Sequence, residues 1–459
     1  MTRASPSLSA HLRATLALGL PLAGSSLAQM LLHVVNTVMV GWYGVIPLAA
    51  LVIAASSFLI VFVLGSGFSR GVMPLAAGAR VRGDQAGMRR CARMGLWLSI
   101  GYGLLIYPLF WFSGPILLAL HQKPEVAAEA QTYLRIAGLG MAPALAVAVL
   151  QGWLAALERT QVVLWVTVAA VGVNIAMNWF LIFGNGGAPE MGVAGAGVAT
   201  LVVQVFSLLL LALYAAFLPA LRPLELFRRF WRPDWPALRE VWRLGLPIGL
   251  TGLAESGLFE ASAIMMGWIG AGELAAHGIA LEVTALAFMI HVGLSNAATI
   301  RVAEFAGLGD ARGLRDASFV ALGLSFCVAV VVIVVFLTVP GAIVGLFLDP
   351  AKPASAAILA FGVTLLALAA LFQLADAMQV MALGLLRGIR DTKVPMWLAA
   401  ISYWVIGIPS GYLLAFPMGY GGVGLWLGLV IGLVAAGVSL MARFWMLAPK
   451  PGIAREPAL

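Results

Sequence analysis

The sequence predicts an all-α integral membrane protein: twelve transmembrane helices in two pseudo-twofold-related six-helix bundles around a central cavity. Three observations predict it. The 459-residue chain is 62% hydrophobic and only 10% charged, whereas a soluble domain carries about 25% charged residues. Its apolar stretches reach the roughly 20 residues a helix needs to cross the hydrocarbon, and they lack the period-two alternation of a membrane barrel. Finally, the second half of the chain repeats the first.

Spans of this number use most of the chain, leaving short loops and no room for a soluble catalytic domain. The net charge of +8 and pI near 9.9 do not point to nucleic acid, because the positive charges are placed by side. They fall in alternate loops: Arg80, Arg82, Arg89, Arg90 and Arg93; Arg228, Arg229, Arg232 and Arg239; Arg312 and Arg315; Arg390 and Lys393. The intervening loops hold almost none, Lys123 and Lys352 excepted. The positive-inside rule then places the arginine-rich loops and both termini in the cytoplasm, as expected of a multi-pass protein of a bacterial-type inner membrane. Arg3, Arg13 and the small-residue run Ala23–Ala28 resemble a cleavable signal. The apolar run continues to Val40, however, and its motif recurs mid-chain where no signal operates, so this is a retained first span. Cys91 and Cys327 suggest neither a disulfide nor a metal site.

The repeat is read at an offset of 226 positions. Leu18-Gly19-Leu20-Pro21 returns as Leu244-Gly245-Leu246-Pro247; Met39, Gly41, Trp42 and Gly44 return as Met265, Gly267, Trp268 and Gly270; Gly83-Asp84 returns as Gly309-Asp310. Six spans per copy insert both halves in the same orientation, so the pseudo-twofold axis lies along the membrane normal. We expect an N-terminal lobe over 1–220, a basic interfacial linker over 221–239, and a C-terminal lobe over 240–459. Two like bundles facing a central cavity can rock between inward and outward openings.

Polar groups inside the spans carry the functional signal, since a charge at mid-bilayer costs about 2.5–3.5 kcal/mol on insertion scales. In the first half, acids sit in loops or near helix ends; in the second, Glu255, Glu260, Glu282 and Asp376 fall well inside spans. Glu255 occupies the position in the seventh span that Gln29 holds in the first. Asp376, in the tenth, shares a face with Gln373 and Gln379 at i, i+3 spacing. A carboxylate in low dielectric that is relieved by a proton or a sodium ion can exchange that ion with either compartment. Glu260 lies about 140° further round the helix than Glu255, so the two do not face one cavity; Glu282 is the better accessory acid. The first span carries an uncharged stripe, Gln29, His33 and Asn36, and the fifth adds Asn174 and Asn178 one turn apart. Interhelical hydrogen bonding and cavity lining both fit these amides. His277 and His291 read as core histidines. No Gly-Lys-Ser/Thr phosphate loop and no catalytic constellation is present, so neither ATP hydrolysis nor an enzyme is expected.

These residues resemble the multidrug and toxic compound extrusion (MATE) transporters, and within them the NorM-like branch. The carrying segments are Ala28 to Gly44, Asn174 to Gly184, Leu246 to Glu255, Ala275-Ala276-His277, Asp376-Ala377-Met378-Gln379, Leu386 to Thr392, and Ser402-Tyr403-Trp404 to Pro409. The resemblance implies an inner-membrane antiporter that expels small organic cations and amphiphiles in exchange for Na⁺ or H⁺, with no further cofactor and as a monomer. It places the coupling ion at Asp376 and Glu255, with Glu282 as accessory. Gln29, His33, Asn36, Asn174, Asn178, Gln373, Gln379 and Tyr403 are the polar cavity candidates. The family usually has an aspartate where this chain has Asn36, which removes the titratable group of the usual N-lobe site. Phe372 also stands where some members carry a tyrosine. The alternative is export of a specific metabolite or a lipid-linked precursor by the same superfamily.

Overall fold

The computed structural model describes residues 7–350 and 353–448, so Arg3 and Lys352 lie outside the described residues. No strand occurs among the described residues. The long helices are α1 (Leu8–Tyr43), α2 (Val45–Val81), α3 (Gln85–Trp111), α4 (Pro124–Ala156), α5 (Thr160–Phe183), α6 (Val193–Phe217), α7 (Trp235–Ile269), α8 (Ala271–Leu308), α9 (Ala311–Thr338), α10 (Ser355–Gly388), α11 (Lys393–Ala415) and α12 (Gly421–Leu447). Eleven are long and apolar enough to cross a bilayer by length and composition. The twelfth, α7, is also long, at 35 residues. It is diluted by Arg239, Glu240 and Arg243 at its start and by Glu255 and Glu260 within.

The repeat seen in the sequence is also a repeat of local geometry. Gly44 between α1 and α2, and Gly270 between α7 and α8, are single extended residues that interrupt otherwise continuous helix. Gly83 and Gly309 both take a left-handed φ, +71° and +70°, which a side chain would strain. Each is followed by an aspartate N-cap: Asp84 accepts from the Gly87 N–H at 2.8 Å, and Asp310 from the Gly313 N–H at 2.9 Å. The matched Gly-Asp pairs of the sequence are therefore matched turns.

Contacts divide the chain into two compact units. One is Gly24–Gly249; the other is Leu250–Leu459 together with the start of the chain up to Ala23. Helices α1 and α7 thus each contribute to both units, and the changeovers fall two residues beyond the proline of each Leu-Gly-Leu-Pro copy. Within the first unit the start of α7 lies against α2, where a Cβ added to Gly67 would sit 2.3 Å from the Gly245 carbonyl oxygen. Within the second unit the start of α1 lies against α8 in the same manner: a Cβ on Gly293 would fall 2.4 Å from the Ala23 nitrogen. Backbones approach this closely only where the side chain is missing, which is how helices pack when lipid supplies no hydrophobic drive.

Candidate functional site

Each unit gathers polar side chains from several helices. In the first unit Asn36 of α1 is the hub. Its Oδ1 accepts from the Asn174 amide at 3.0 Å and the Asn178 amide at 2.7 Å, both from α5. Its own amide donates to Thr200 Oγ1 of α6 at 3.4 Å, and Thr200 lies 3.2 Å from the Tyr133 hydroxyl of α4. Asn36, Asn174, Asn178 and Tyr133 are all buried. Four helices are therefore tied by neutral groups, and of the five residues' side-chain polar atoms only Asn178 Oδ1 is left buried without a partner. Gln29 belongs to a second chain, donating to Gln151 at 3.3 Å, which reaches Thr167 at 3.4 Å and through it Ser25 at 3.0 Å. His33 is exposed between the two groups. Tyr133, Gln151, Thr167 and Thr200 escaped the sequence reading, because lone hydroxyls and amides in apolar spans carry no periodic signal.

The second unit assembles a different kind of cluster. Asp376, Gln373 and Gln379 on α10 are all buried, as their spacing predicted. Gln379 donates to Glu255 Oε1 of α7 at 3.3 Å, and Asp376 lies within electrostatic reach of Glu255. Tyr403 of α11, wholly buried, is within electrostatic reach of both acids. It is carried by a widened, π-type turn over Ser402–Gly407, a local geometry frequent at functional sites. Next to it Trp404 donates to the Ala254 carbonyl at 3.1 Å, anchoring the backbone beside Glu255. The polarity reading did not single out Trp404.

What distinguishes this cluster is what it leaves unmade. Asp376 Oδ1, both polar atoms of the Gln373 amide and Gln379 Oε1 are buried without a hydrogen-bond partner. A buried polar atom left unsatisfied costs about 1–3 kcal/mol. Such a concentration is expected where a group absent from the protein alone completes the coordination. Apart from the Gln373 amide nitrogen, which can only donate, these are hard oxygens with one or two carboxylates, which suits a proton or a small hard cation. Among the described residues no set of three or more His, Cys, Asp or Glu side chains is grouped to hold a metal ion.

Glu282 on α8 and Glu260 on α7 are exposed, and among the described residues no hydrogen bond joins either to Asp376. His277 accepts from Trp426 Nε1 at 3.0 Å, and His291 pairs with Ser325 at 2.8 Å, so both are core histidines with one nitrogen engaged. One buried acid was missed: Glu304 near the end of α8, paired with Arg301 at 2.9 Å. Arg301 in turn lies 3.5 Å from His11 of α1. Asp376 and Glu304 are the fully buried carboxylates among the described residues, and both belong to the second unit.

Comparison with known proteins agrees with this layout. The MatE family model matches the chain twice, over residues 21–180 and 247–413. The chain belongs to the MatE family, the multidrug and toxic compound extrusion transporters. The two matches begin at Pro21 and Pro247, the proline of each Leu-Gly-Leu-Pro copy. The chain is 46% identical to a protein of Rhizobium meliloti (strain 1021) described as "Probable multidrug resistance protein NorM", covering 95% of this chain and 94% of that one. A protein of the same description from Agrobacterium fabrum is 45% identical over 96% and 95%. Among solved structures, MATE in complex with MaL6 superposes with a TM-score of 0.86 at 22% identity, covering 95% of this chain and 96% of that chain. The eukaryotic MATE transporter AtDTX14 gives 0.84 at 21% identity, covering 96% and 97%. These likenesses show the twelve-helix fold.

Proposed function

We propose that this protein is a secondary active multidrug exporter that antiports hydrophobic and cationic organic compounds against Na⁺ or H⁺ by alternating access. The coupling ion is held in the second unit by Asp376 and Glu255, with Gln373, Gln379 and Tyr403 supplying neutral oxygens. The observation that carries this is the group of unpartnered buried polar atoms around Asp376. The names of the relatives support the drug-like substrate class. The protein works in the bacterial inner membrane with its arginine-rich loops in the cytoplasm.

The cycle follows from the chemistry of the site. Facing outward, the acids take up the ion, the cluster's open valences are filled, and the substrate leaves. Facing inward, the ion departs and the charged cluster favours reloading with substrate. One monovalent ion moving across about 100 mV releases about 2.3 kcal/mol, which sustains a roughly 50-fold gradient of a neutral compound. A cationic substrate carries charge against the same potential and needs an ion gradient or a second ion. The test is ion-driven efflux of a fluorescent cation from everted vesicles, with a sodium step compared against a pH step. Asp376→Asn and Glu255→Gln are each expected to lose the response to whichever ion drives the wild type. An undiminished response in both variants would overturn the assignment.

A further inference from the structure

The segment 218–234, between α6 and α7, is folded rather than merely a tether. Leu221, Leu224 and Leu226 are buried, and the N-terminal half of α3 holds the backbone from beneath. Arg93 donates to the carbonyl oxygens of Arg228 and Arg229, both at 3.3 Å, and Trp97 donates to that of Phe230 at 2.9 Å. With its carbonyls turned inward and Arg229 at a left-handed φ of +53°, the segment presents its arginines and large aromatics outward. Trp231 is 72% exposed and Trp235, at the start of α7, is 67% exposed.

The two acids of the segment are already engaged. Glu225 is paired with Arg228 at 2.7 Å, and Asp234 with Arg90. Arg222, Arg229 and Arg232 are exposed, with no acid paired to them among the described residues. Exposed tryptophans interleaved with unneutralised arginines, at the ends of two membrane helices, match the interfacial zone of a bilayer in both polarity and charge. Water alone gives no reason to leave two indoles uncovered.

We propose that this segment is a binding surface for anionic phospholipid headgroups of the cytoplasmic leaflet. The indoles enter the headgroup layer, and Arg222, Arg229 and Arg232 pair with lipid phosphates. Guanidinium groups suit phosphate oxygens because they bind them bidentately.

Native mass spectrometry of the full-length, detergent-solubilised protein tests this, using phosphatidylglycerol and phosphatidylcholine of matched chains as probes. Each basic side chain near an anionic surface is worth about fivefold in binding. The wild type is expected to retain phosphatidylglycerol in preference to phosphatidylcholine, and Arg222→Gln/Arg229→Gln/Arg232→Gln to lose at least tenfold of that preference. A charge-matched control, Arg312→Gln/Arg315→Gln/Lys393→Gln, is expected to keep it. Trp231→Ser, which removes an exposed ring and no core contact, is expected to weaken retention of both lipids severalfold. Equal retention of the two lipids by the wild type, or an equal loss in both triple variants, would overturn the proposal. So would displacement of the lipid by millimolar glycerol phosphate, which would indicate a site for free phosphate.

Discussion

The polar clusters of the two units draw on corresponding helices, α1, α4 and α5 in one and α7, α10 and α11 in the other, yet at different positions along them, and they are finished differently. In the first, Asn36, Asn174, Asn178, Thr200 and Tyr133 satisfy one another almost completely and carry no charge. In the second, an aspartate and two glutamines are buried with open valences. Closed neutral networks rigidify helices, whereas an unfinished acidic one has room for a further partner, a water or an ion. Duplication thus supplied a common scaffold, and on the function proposed above the divergence of a few side chains assigns the ion to the second copy.

The largest effect that could break this contrast lies in the second cluster. Asp376→Asn removes the buried carboxylate while preserving volume; ion-driven efflux is expected to fall at least tenfold, with the folded protein retained on gel filtration. Next is the shared scaffold. Gly67→Ala and Gly293→Ala both place a methyl group within 2.4 Å of backbone atoms, and each is expected to reduce the yield of folded protein severalfold in expression trials. Unequal losses would show that the copies rely on these contacts to different degrees. Gln373→Leu sharpens the comparison in another way. It deletes two unpartnered buried atoms, so it is expected to raise Tm slightly while weakening the apparent affinity for the coupling ion several-fold. A fall in Tm together with unchanged ion dependence would mean that the Gln373 amide is part of a closed network like that around Asn36.

Asn36→Ala opens the first cluster. It is expected to change substrate KM a few-fold and leave the ion response intact, because Asn36 does not titrate. The smallest effect is at the loop preceding α7. The hydrogen bond from Arg90 holds the Asp234 carboxyl below the usual carboxylate range, with a further contribution from the Ala237 N–H. Stability from a depressed carboxyl is complete above its unfolded value of about 3.9 and is lost as pH falls through the folded one. Asp234→Asn is therefore expected to lower Tm by about 1–2 °C at neutral pH, and the difference is expected to vanish in strong acid.

Much of this was legible in the sequence because its signals are strong and local. Long apolar runs mark spans, and Pro21/Pro247, Gly83/Gly309 and Asp84/Asp310 mark equivalent turns, caps and changeovers. Asp376 and Glu255 stood out because a carboxylate in an apolar span has few bland explanations. Other features depend on which faces meet, and no single span states that. Thr200 and Tyr133 are ordinary residues until α4 and α6 bring them to Asn36. Trp404 belongs to a segment that carries the family resemblance, but that its indole reaches the Ala254 carbonyl is visible only in the fold. Glu304 lies near a helix end, and only the folded structure shows it buried beside Arg301. The passage of α1 and α7 between units is likewise a property of contacts, though the Leu-Gly-Leu-Pro repeats stand beside both changeovers.

One measurement tests the central claim most directly: ion-driven efflux of a fluorescent cation from everted vesicles containing wild type, Asp376→Asn or Asn36→Ala, under whichever of the sodium and pH steps drives the wild type. The asymmetry of the clusters predicts that Asp376→Asn abolishes the response and that Asn36→Ala preserves it with an altered KM. A response lost in Asn36→Ala but kept in Asp376→Asn would contradict it, and would move the ion to the first unit.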